Sequence, residues 1–355
     1  MSVPRRRLIA GALALAGALP AWGAGRIADS CPGAEVVLPG APGYALYRRR
    51  TLAFGTAIEL TVAADSRHRA ETALYAALRE IEAIDSVTSL YRPVGAVCTL
   101  NRVGRLDQAE TRLIDLLLAA RRWSSRSEGA FDVTVQPLWT LYAEAAQAGR
   151  IPDDAAVAGA LARVDWRAVS VDDGAVHLSH PGMAISLNGI VQGYATDRAL
   201  AILRAHDIRH ALVDAGEFGA LGGRPPIGER AAGHCVEPWS VGIRDPRSPG
   251  ALLGTMPLSA AAVATSGDYE YCFTADRVHH HIFDPRVGRS PRELAAVTVL
   301  ATNATDADAL STACMVLGAE AGGRLVATVP GAEALFVRKD LSMVRTAGFP
   351  LQPPA

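Results

Sequence analysis

The spacing of hydrophobic and polar positions divides the chain into helical and strand segments. Apolar side chains recur three and four residues apart in the first kind and alternate with small polar ones in the second. Gly55 interrupts the first strand, and Asp-Gly and Pro-Gly turns divide a later one into short pieces. The pattern predicts helices over 69–91, 109–127 and about 191–206, and strands over 52–65, 166–187 and 210–216.

The last third of the chain mixes the two patterns. Segments 239–245, 254–267 and 269–284 indicate an antiparallel set of strands. Residues 305–328 predict a helical pair broken at Gly322 and Gly323, and residues 334–346 predict a closing hairpin. Strands and helices do not alternate strictly, as they would in a doubly wound sheet. The sequence therefore predicts an α+β fold, with mixed or antiparallel sheets and packed helices.

Composition and charge narrow the class of protein and of ligand. The 355 residues are half hydrophobic and one fifth charged, which suits a globular chain of one large domain or two ordinary ones. The net charge of -1 gives no basic excess, so nucleic acid is not an expected partner. The five cysteines show no zinc spacing and are given no catalytic role. Small molecules and other proteins are the expected ligands.

The first residues have the pattern of an export signal. Three arginines, Arg5–Arg7, precede an apolar run over 8–19, which is too short to span a hydrocarbon core of about 30 Å. The arginines fit a twin-arginine signal, and an ordinary export signal is the alternative. We predict a signal over 1–24, a flexible leader over 25–44 and a single domain over 45–355. No later stretch is apolar enough to span a membrane, so a periplasmic location is expected.

A predicted strand runs into a helix through Asn188 and Gly189. Glycine lets a ligand approach the backbone closely, and the free amides at the start of a helix attract phosphate. The same turn is also common as a purely structural connection. The spacing by itself leaves both interpretations open.

Asp308 and Thr312 lie four residues apart, on one face of the predicted helix that begins near Thr305. A carboxylate and a hydroxyl placed in this way suit Mg²⁺, which prefers hard oxygen ligands. The alternative is a capping box, in which Asp308 follows Thr305 by three residues and serves only the helix start. Spacing alone favours the cap.

Three consecutive histidines, His279, His280 and His281, precede an Asp-Pro turn. Neighbouring side chains of a strand face opposite ways, so His279 and His281 would share a face with Phe283. His280 would lie among aliphatic residues and is expected to be packed rather than reactive. No spacing of Cys, His or Glu supplies the further ligands of a zinc site. One imidazole near a phosphate-binding element could act as an acid or a base.

Taken together, these segments resemble the ApbE family, the FAD:protein FMN transferases. The likeness runs from about Leu52 to Leu341 and includes several motifs in the family's order. The motifs are FGTAIELTV, SLYRP with LNRVG, GAFDVTVQPLWTLY, ISLNGIVQGYATDRA, ALVDAGEFGALGG, ATSGDYEY, HHIFDPRVGRSP and DADALSTACMVLG. The resemblance implies an ApbE-like flavin transferase fold.

The resemblance also implies an activity and a site. The family binds FAD with Mg²⁺ and transfers FMN to a threonine or serine hydroxyl of a partner protein, releasing AMP. This favours a metal ligand over a helix cap for Asp308. The implied base is His281, with Asp284 in reserve, and the implied metal site comprises Asp308, Thr312, Ser311 and the carbonyl of Gly189. The residues that would border or complete the FAD site are Phe54, Tyr91, Ala130, Phe131, Asp132, Ser186, Gln192 and Phe283.

Three positions depart from the family pattern. Ser186 and Gln192 stand where the family has Asp and Lys, so a charged pair becomes a neutral hydrogen-bonding pair that could compensate. Glu217 stands where Gly-Asp is usual. The motifs look most like the exported NosX-like branch, whose target is a membrane-bound flavoprotein of the NosR kind. Two rival functions stay open, an FAD pyrophosphatase in which water attacks and a periplasmic FAD-binding protein without activity.

Overall fold

The fold is described from a computed structural model of residues 36–39, 44–225 and 236–354. The predicted export signal, Cys31 and Cys235 lie outside these residues. Within the predicted leader, Val36–Pro39 forms a strand that pairs with the first strand of the following domain.

An antiparallel sheet of nine strands lies at the centre of the described chain, and the predicted α+β class is confirmed. Phe54 and Gly55 join its second and third strands with φ of 53° and 77°, the two-residue turn that suits the twist of a hairpin. The strands in spatial order are β1 (Val36–Pro39), β2 (Ala45–Ala53), β3 (Thr56–Ala64), β7 (His210–Asp214), β8 (Phe218–Leu221), β11 (Ala262–Gly267), β12 (Leu294–Ala301), β13 (Glu333–Arg338) and β14 (Met343–Arg345).

Helices cover one face of this sheet. Their apolar stripes bury Ile81, Leu113 and Leu310 against Ile58 and Val297 of the strands, and each such side chain contributes about 1.5–3 kcal/mol. None of the helices in the described part of the chain is both long and apolar enough to cross a bilayer. The helices are α1 (Arg67–Thr88), α2 (Ala96–Val103), α3 (Thr111–Arg126), α4 (Gln136–Gln147), α5 (Asp154–Leu161), α6 (Val191–Ala205) and α7 (Ala304–Ala327).

Smaller sheets complete the fold. On the opposite face of the large sheet, β9 (Trp239–Arg244) pairs with β10 (Leu252–Leu258), and alternate side chains of β9 enter a second core with Leu46 and Leu335. A third sheet contains β4 (Arg105–Leu106), β5 (Val169–Asp172) and β6 (Ala175–Leu178), with the predicted Asp-Gly turn between the last two.

Three predicted elements differ from the structure. Within 166–187, strands form only before the Pro-Gly turn. The break in α7 lies at Gly318, whose φ is 80°, and not at Gly322 and Gly323. Glu293 explains the position, because its carboxylate occupies the space beside Gly318 and accepts from the amide of Ala319 at 3.2 Å. The segment 269–284 forms turns with isolated bridges instead of a third strand.

Candidate active site

The start of α6 and the second turn of α7 meet beside the end of β11. Gly193 permits the contact, because a Cβ at this position would lie 2.2 Å from the carbonyl oxygen of Ala304 and 2.8 Å from Cβ of Asp308. The amide of Gly193 donates to Oδ2 of Asp308 at 3.0 Å. Asp308 therefore satisfies one of the free amides at the start of a neighbouring helix.

Asp308 does not cap its own helix. The N-cap of α7 is Asn303, whose side chain accepts from the amide of Asp306 at 2.8 Å and donates back to the Asp306 carboxylate at 2.7 Å. The capping box predicted for Thr305 and Asp308 is therefore wrong. This leaves the second carboxylate oxygen of Asp308 available for a ligand.

Hydroxyl groups gather next to Asp308. The hydroxyl of Ser266 lies 2.7 Å from Ser311 Oγ and 3.0 Å from Thr312 Oγ1. Gly189 approaches from the turn before α6, since a Cβ there would lie 3.2 Å from Thr312 Oγ1. The structure thus brings together all four predicted metal-binding residues, Gly189, Asp308, Ser311 and Thr312.

The backbone between Gly189 and Gly193 also has unused hydrogen-bonding groups. The amide of Gly193 bonds to Asp308 and not to the carbonyl of Gly189. Within the described residues, that carbonyl accepts no hydrogen bond, and the amides of Gly189 and Gln192 donate none. One acceptor and two donors of the backbone are therefore free at the helix start.

The burial and charge of Asp308 also suit the binding of a cation. The side chain is 3% exposed, and burial raises its pKa to about 7, with a further contribution from the Asp197 carboxylate. No lysine or arginine of the described segments pairs with it. A carboxylate, two hydroxyls and a carbonyl are the hard oxygen donors that suit Mg²⁺. A bound cation would also hold the carboxylate in its charged form.

Glu217 is a second buried acid near this cluster. Its carboxylate accepts from the amide of Thr265 at 3.0 Å, and its carbonyl accepts from the hydroxyl of Thr196 at 2.9 Å. Burial and the charge of Asp308 raise the pKa of Glu217 well above its usual value. The sequence identified Glu217 only as a departure from the family pattern, so its position beside Asp308 was missed. Ser266 lies in the ATSGDYEY motif, but the sequence did not identify it individually as a site residue.

The predicted flavin-binding segment 130–132 lies against the helix start. Ala130 and Phe131 are buried, and Cε2 of Phe131 would be 3.3 Å from a Cβ at Gly189. The Asp132 carboxylate accepts from the amide and hydroxyl of Thr134 at 2.7 and 2.6 Å and from the amide of Trp166 at 3.2 Å. Burial raises the pKa of Asp132 to about 6. Both oxygens of Asp132 are thus already engaged in local structure.

Phe54 and Tyr91 lie on two loops that Asp85 joins. One oxygen of Asp85 accepts from the amide of Phe54 and the other from the guanidinium of Arg92, each at 2.9 Å. The ring of Phe54 is half-buried against the main core, whereas Tyr91 is 82% exposed. An aromatic ring as exposed as that of Tyr91 is free to stack on a ligand.

Ser186 and Gln192 do not contact each other through a hydrogen bond. The Ser186 hydroxyl accepts from the amide of Asn188 at 3.4 Å. The amide group of Gln192 lies against Gly216, where an added Cβ would be 2.2 Å from Nε2. The expected neutral hydrogen-bonded pair therefore does not form in the described chain.

Two of the three histidines are packed. His280 is fully buried, its Nε2 lies 3.1 Å from the carbonyl of Pro291, and burial lowers its pKa to about 4. This confirms the prediction for His280. The rings of His279 and Phe283 both contact Tyr142, with centroids 5.7 and 5.0 Å from its ring. Phe283 is 3% exposed in that aromatic cluster.

His281 has the form that a general base requires. Its Nδ1 lies 3.3 Å from the carbonyl of Tyr271, which can only accept, so Nδ1 carries the proton and Nε2 has the free lone pair. Burial lowers the pKa of His281, which keeps the ring neutral near pH 7. No contact in the described chain joins His281 to the hydroxyl cluster.

Asp284, the reserve base, is held in an ion pair. Its two oxygens accept from Nε and the terminal nitrogen of Arg286 at 2.8 and 2.7 Å, and one of them also accepts from the Arg286 amide. Both oxygens of this carboxylate are thus already engaged by the guanidinium of Arg286. The geometry therefore favours His281 over Asp284.

Comparisons with known proteins show which family the chain resembles. The family model described as the ApbE family matches residues 54–336. An FAD:protein FMN transferase from Treponema pallidum is 35% identical over 321 residues, which cover 85% of this chain and 87% of that protein. Two solved structures each align with 85% of this chain. The ApbE protein of Thermotoga maritima has a TM-score of 0.73 and 30% sequence identity, and the match covers 97% of its chain. The flavinyl transferase ApbE of Pseudomonas stutzeri has a TM-score of 0.71 and 27% sequence identity, and the match covers 94% of its chain.

Proposed function

The chain belongs to the ApbE family, and from this premise we propose that it is an FAD:protein FMN transferase. A threonine or serine hydroxyl of an acceptor protein attacks the FMN phosphorus of FAD. A phosphoester bond to the acceptor forms while the bond to the AMP oxygen breaks, and AMP leaves with the electron pair of that bond. Similarity to a named transferase over 85% of the chain supports the proposal.

One observation carries the proposal beyond similarity. Thr312 of α7 lies against Gly189, just before α6, and Asp308 accepts from Gly193 in the first turn of α6. This helix start has a free carbonyl and two free amides. Amides at a helix start favour phosphate oxygens. Hard oxygen donors beside them favour a divalent cation. This combination is the one that a pyrophosphate substrate requires.

We assign a Mg²⁺ ion to the Asp308 carboxylate, the hydroxyls of Thr312 and Ser311, and the carbonyl of Gly189. When bound, the ion supplies positive charge that offsets the charge of the pyrophosphate and of the leaving AMP. Asp308 is the main ligand, because it is the charged donor of the set and lacks a cation partner among the described residues.

The residues of the chain bind the substrate and move one proton. The amides of Gly189 and Gln192 donate to phosphate oxygens, while Phe131 and Tyr91 contact the flavin. Nε2 of His281 accepts the proton of the attacking hydroxyl, a role that its Nδ1 contact to Tyr271 supports. Most of the acceleration comes from positioning and charge compensation, as in other phosphoryl transfers.

The test of the proposed function is the mass of the acceptor. The purified mature protein is mixed with FAD, Mg²⁺ and an acceptor domain, and the products are weighed and AMP is counted. We expect the acceptor to gain one FMN for each AMP released. Rapid AMP release without acceptor would instead indicate a pyrophosphatase. FAD binding without AMP release in the presence of acceptor would indicate a carrier.

We also propose that the protein acts in the periplasm on a membrane-bound acceptor of the NosR kind. Arg5–Arg7 and the apolar run that follows support export, and the NGIVQGYATDR and VDAGE motifs support the acceptor class. A NosR-like domain and an unrelated flavoprotein domain, compared in the mass assay, test this part. Equal modification of both, or modification of the unrelated domain only, would contradict it.

A further inference from the structure

A buried carboxylate with two partly exposed cations lies outside the cluster around Asp308. Asp268 follows β11 and is fully buried. Its two oxygens accept from the two terminal nitrogens of Arg247, each at 2.7 Å, and one also accepts from Nζ of Lys339. Arg247 follows β9 and Lys339 follows β13, so the triad of Asp268, Arg247 and Lys339 joins three separate strands.

The triad fixes the first arm of the loop that carries the histidines. The whole loop, residues 268–291, is here called the histidine loop, and its first arm runs from Asp268 to Arg277. Lys339 Nζ also donates to the carbonyl of Arg277 at 3.0 Å, so one ammonium group holds two points of the loop. The thiol of Cys272 donates to the carbonyl of Asp268 at 2.9 Å. The arm between Asp268 and Arg277 is thus held from its base and from its far end.

That arm carries the carbonyl that orients His281. The carbonyl of Tyr271 accepts from the amide of His281 at 3.0 Å and lies 3.3 Å from its Nδ1. The second arm is anchored separately, since the Ser290 hydroxyl bonds to both the amide and the carbonyl of His280. Backbone hydrogen bonds also pair the two arms directly. The position of Tyr271 relative to His281 therefore depends on these bonds and, through the two anchored ends of the first arm, on the triad.

A triad around a buried carboxylate is a poor source of stability. Removing the carboxylate from water is costly, and the attraction of its partners does little more than offset that cost. Its effect is geometric, because charged hydrogen bonds with a bidentate guanidinium fix distance and angle together. The groups fixed here are those that set the tautomer and direction of the imidazole of His281.

We propose that Lys339 and Asp268 are positioning residues, which hold the Tyr271 carbonyl where it keeps the proton on Nδ1 of His281 and directs Nε2 to the acceptor hydroxyl. This inference rests on the proposed function for the step that Nε2 performs. The geometry of the imidazole can be tested without it. Neither residue touches the substrate, and both act through the loop.

The test is a double-mutant cycle in the full mature protein. Lys339→Met removes the contact to Arg277 and one charge from Asp268, while the bidentate pair with Arg247 remains. We expect FMN transfer to slow at least about tenfold with FAD affinity unchanged, since a displacement of about 1 Å can cost on the order of 100-fold. In a His281→Ala background the same change should have no further effect, because the imidazole that it positions is absent.

Two further variants keep the test decisive. Lys339→Gln retains a hydrogen-bond donor of similar reach and is used if the methionine variant does not fold. Arg338→Met is the matched control, since Arg338 is the neighbouring cation of β13 and pairs with Glu293 instead of the triad. The control should transfer FMN at the rate of the unaltered protein. An equal loss in the control would overturn the inference.

Nitrogen-15 NMR of the histidine side chains gives a readout that does not need catalysis. The unaltered protein should show the Nδ1-protonated tautomer at His281, and Lys339→Met should mix the tautomers. Unchanged tautomer populations, or equal rate losses with and without His281, would overturn the positioning role. If transfer fails in the unaltered protein while the NMR shift occurs, the proposed function fails and the positioning of His281 stands.

Discussion

Gly193 allows the start of α6 to approach α7 closely. A side chain there would meet the carbonyl of Ala304 at 2.2 Å. We predict that Gly193→Ala lowers the free energy of unfolding by about 1–3 kcal/mol, the range for overpacked interiors. The shift of Asp308 should also weaken binding of Mn²⁺, used as a spectroscopic substitute for Mg²⁺. Urea unfolding and Mn²⁺ titration measure the two effects.

Gly323→Ala is the matched control for Gly193. Gly323 is also helical, but a Cβ added there would have no atom of a neighbouring element within 4 Å. Alanine there should stabilise the protein by up to about 1 kcal/mol through helix propensity and leave Mn²⁺ affinity unchanged. A Gly193→Ala protein as stable as the control variant would show that the two helices do not meet in the described way.

His280 gives a prediction of how the stability of the protein depends on pH. Burial lowers its pKa from 6.5 to about 4. Between these two pH values the unfolded chain binds a proton at His280 and the folded protein does not. Because of this difference, the free energy of unfolding decreases as the pH falls. The full decrease in the free energy of unfolding is roughly 3 kcal/mol, since each unit of pKa difference corresponds to about 1.4 kcal/mol.

We therefore predict that His280→Gln loses less stability than the unaltered protein between pH 6.5 and pH 4. Glutamine can still donate to the carbonyl of Pro291. Urea unfolding at several pH values measures the difference between the two proteins. The same change at the exposed His177 is the control. Parallel stability curves for His280→Gln and the unaltered protein would contradict the assignment of a buried neutral imidazole.

The sequence identified some site residues and could not identify others. Asp308 and Thr312 were found because four residues of helix place side chains on one face, and the resemblance then favoured metal over cap. Ser266 lies on β11 and Glu217 in the turn just before β8, and their contacts depend on how these two strands are aligned with each other and with α7. Local spacing carries no information about that alignment.

At the scale of elements, Asp197 of α6 binds the start of α7. Its carboxylate accepts from the amides of Ala304 and Thr305, each at 2.8 Å, and from the hydroxyl of Thr305. These amides are among the four that a helix start leaves without partners. We predict that Asp197→Ala lowers the free energy of unfolding by about 1–3 kcal/mol. It should also weaken Mn²⁺ binding, because Asp308 lies one turn further along α7.

Asp153→Ala is the control that distinguishes the loss of a helix cap from a change in the geometry of the site. Asp153 caps α5, where it accepts from the amide of Ala156 at 2.8 Å. Its loss should cost about 1 kcal/mol without any change in Mn²⁺ affinity. Equal effects of Asp153→Ala and Asp197→Ala on the metal would contradict a role for the contact between α6 and α7.

Elements with a regular period were predictable, and those defined by tertiary contacts were not. The predicted helix over 191–206 matches Val191–Ala205, and the predicted hairpin over 334–346 matches β13 and β14. The kink of α7 was misplaced, because Gly318 and Gly322 look alike in sequence and only the Glu293 carboxylate distinguishes them. The histidine loop alternates like a strand, yet it forms isolated bridges and bonds to side chains such as Ser290 instead of a continuous ladder.

At the scale of the whole molecule, the class of the fold followed from the absence of strict alternation between strands and helices. The order of the nine strands did not follow, because β7, β8 and β11 join distant parts of the chain. That order brings the motifs of α6, β8 and β11 to one place. The resemblance identified these motifs as parts of one site. The strand order explains how residues as far apart in sequence as Gly189 and Thr312 come together.

Export of the whole molecule gives a further prediction. Replacing Arg5, Arg6 and Arg7 with lysine should retain the protein in the cytoplasm, since the twin-arginine pathway requires the arginine pair. Cell fractionation with an antibody to the protein measures its location, and an ordinary export signal on a reporter is the control. Normal export of the lysine variant would favour the alternative of an ordinary signal.

The most direct test of the account is the affinity of the protein for Mn²⁺ in the presence of FAD. Electron paramagnetic resonance counts free Mn²⁺ for the unaltered protein, for Asp308→Ala and for Glu320→Ala, an exposed acid on the same helix. We predict that Asp308→Ala loses more than about 100-fold in affinity, beyond the effect typical of residues that only support a ligand. Glu320→Ala should bind as the unaltered protein does. Equal affinity of all three proteins would contradict a metal site at Asp308.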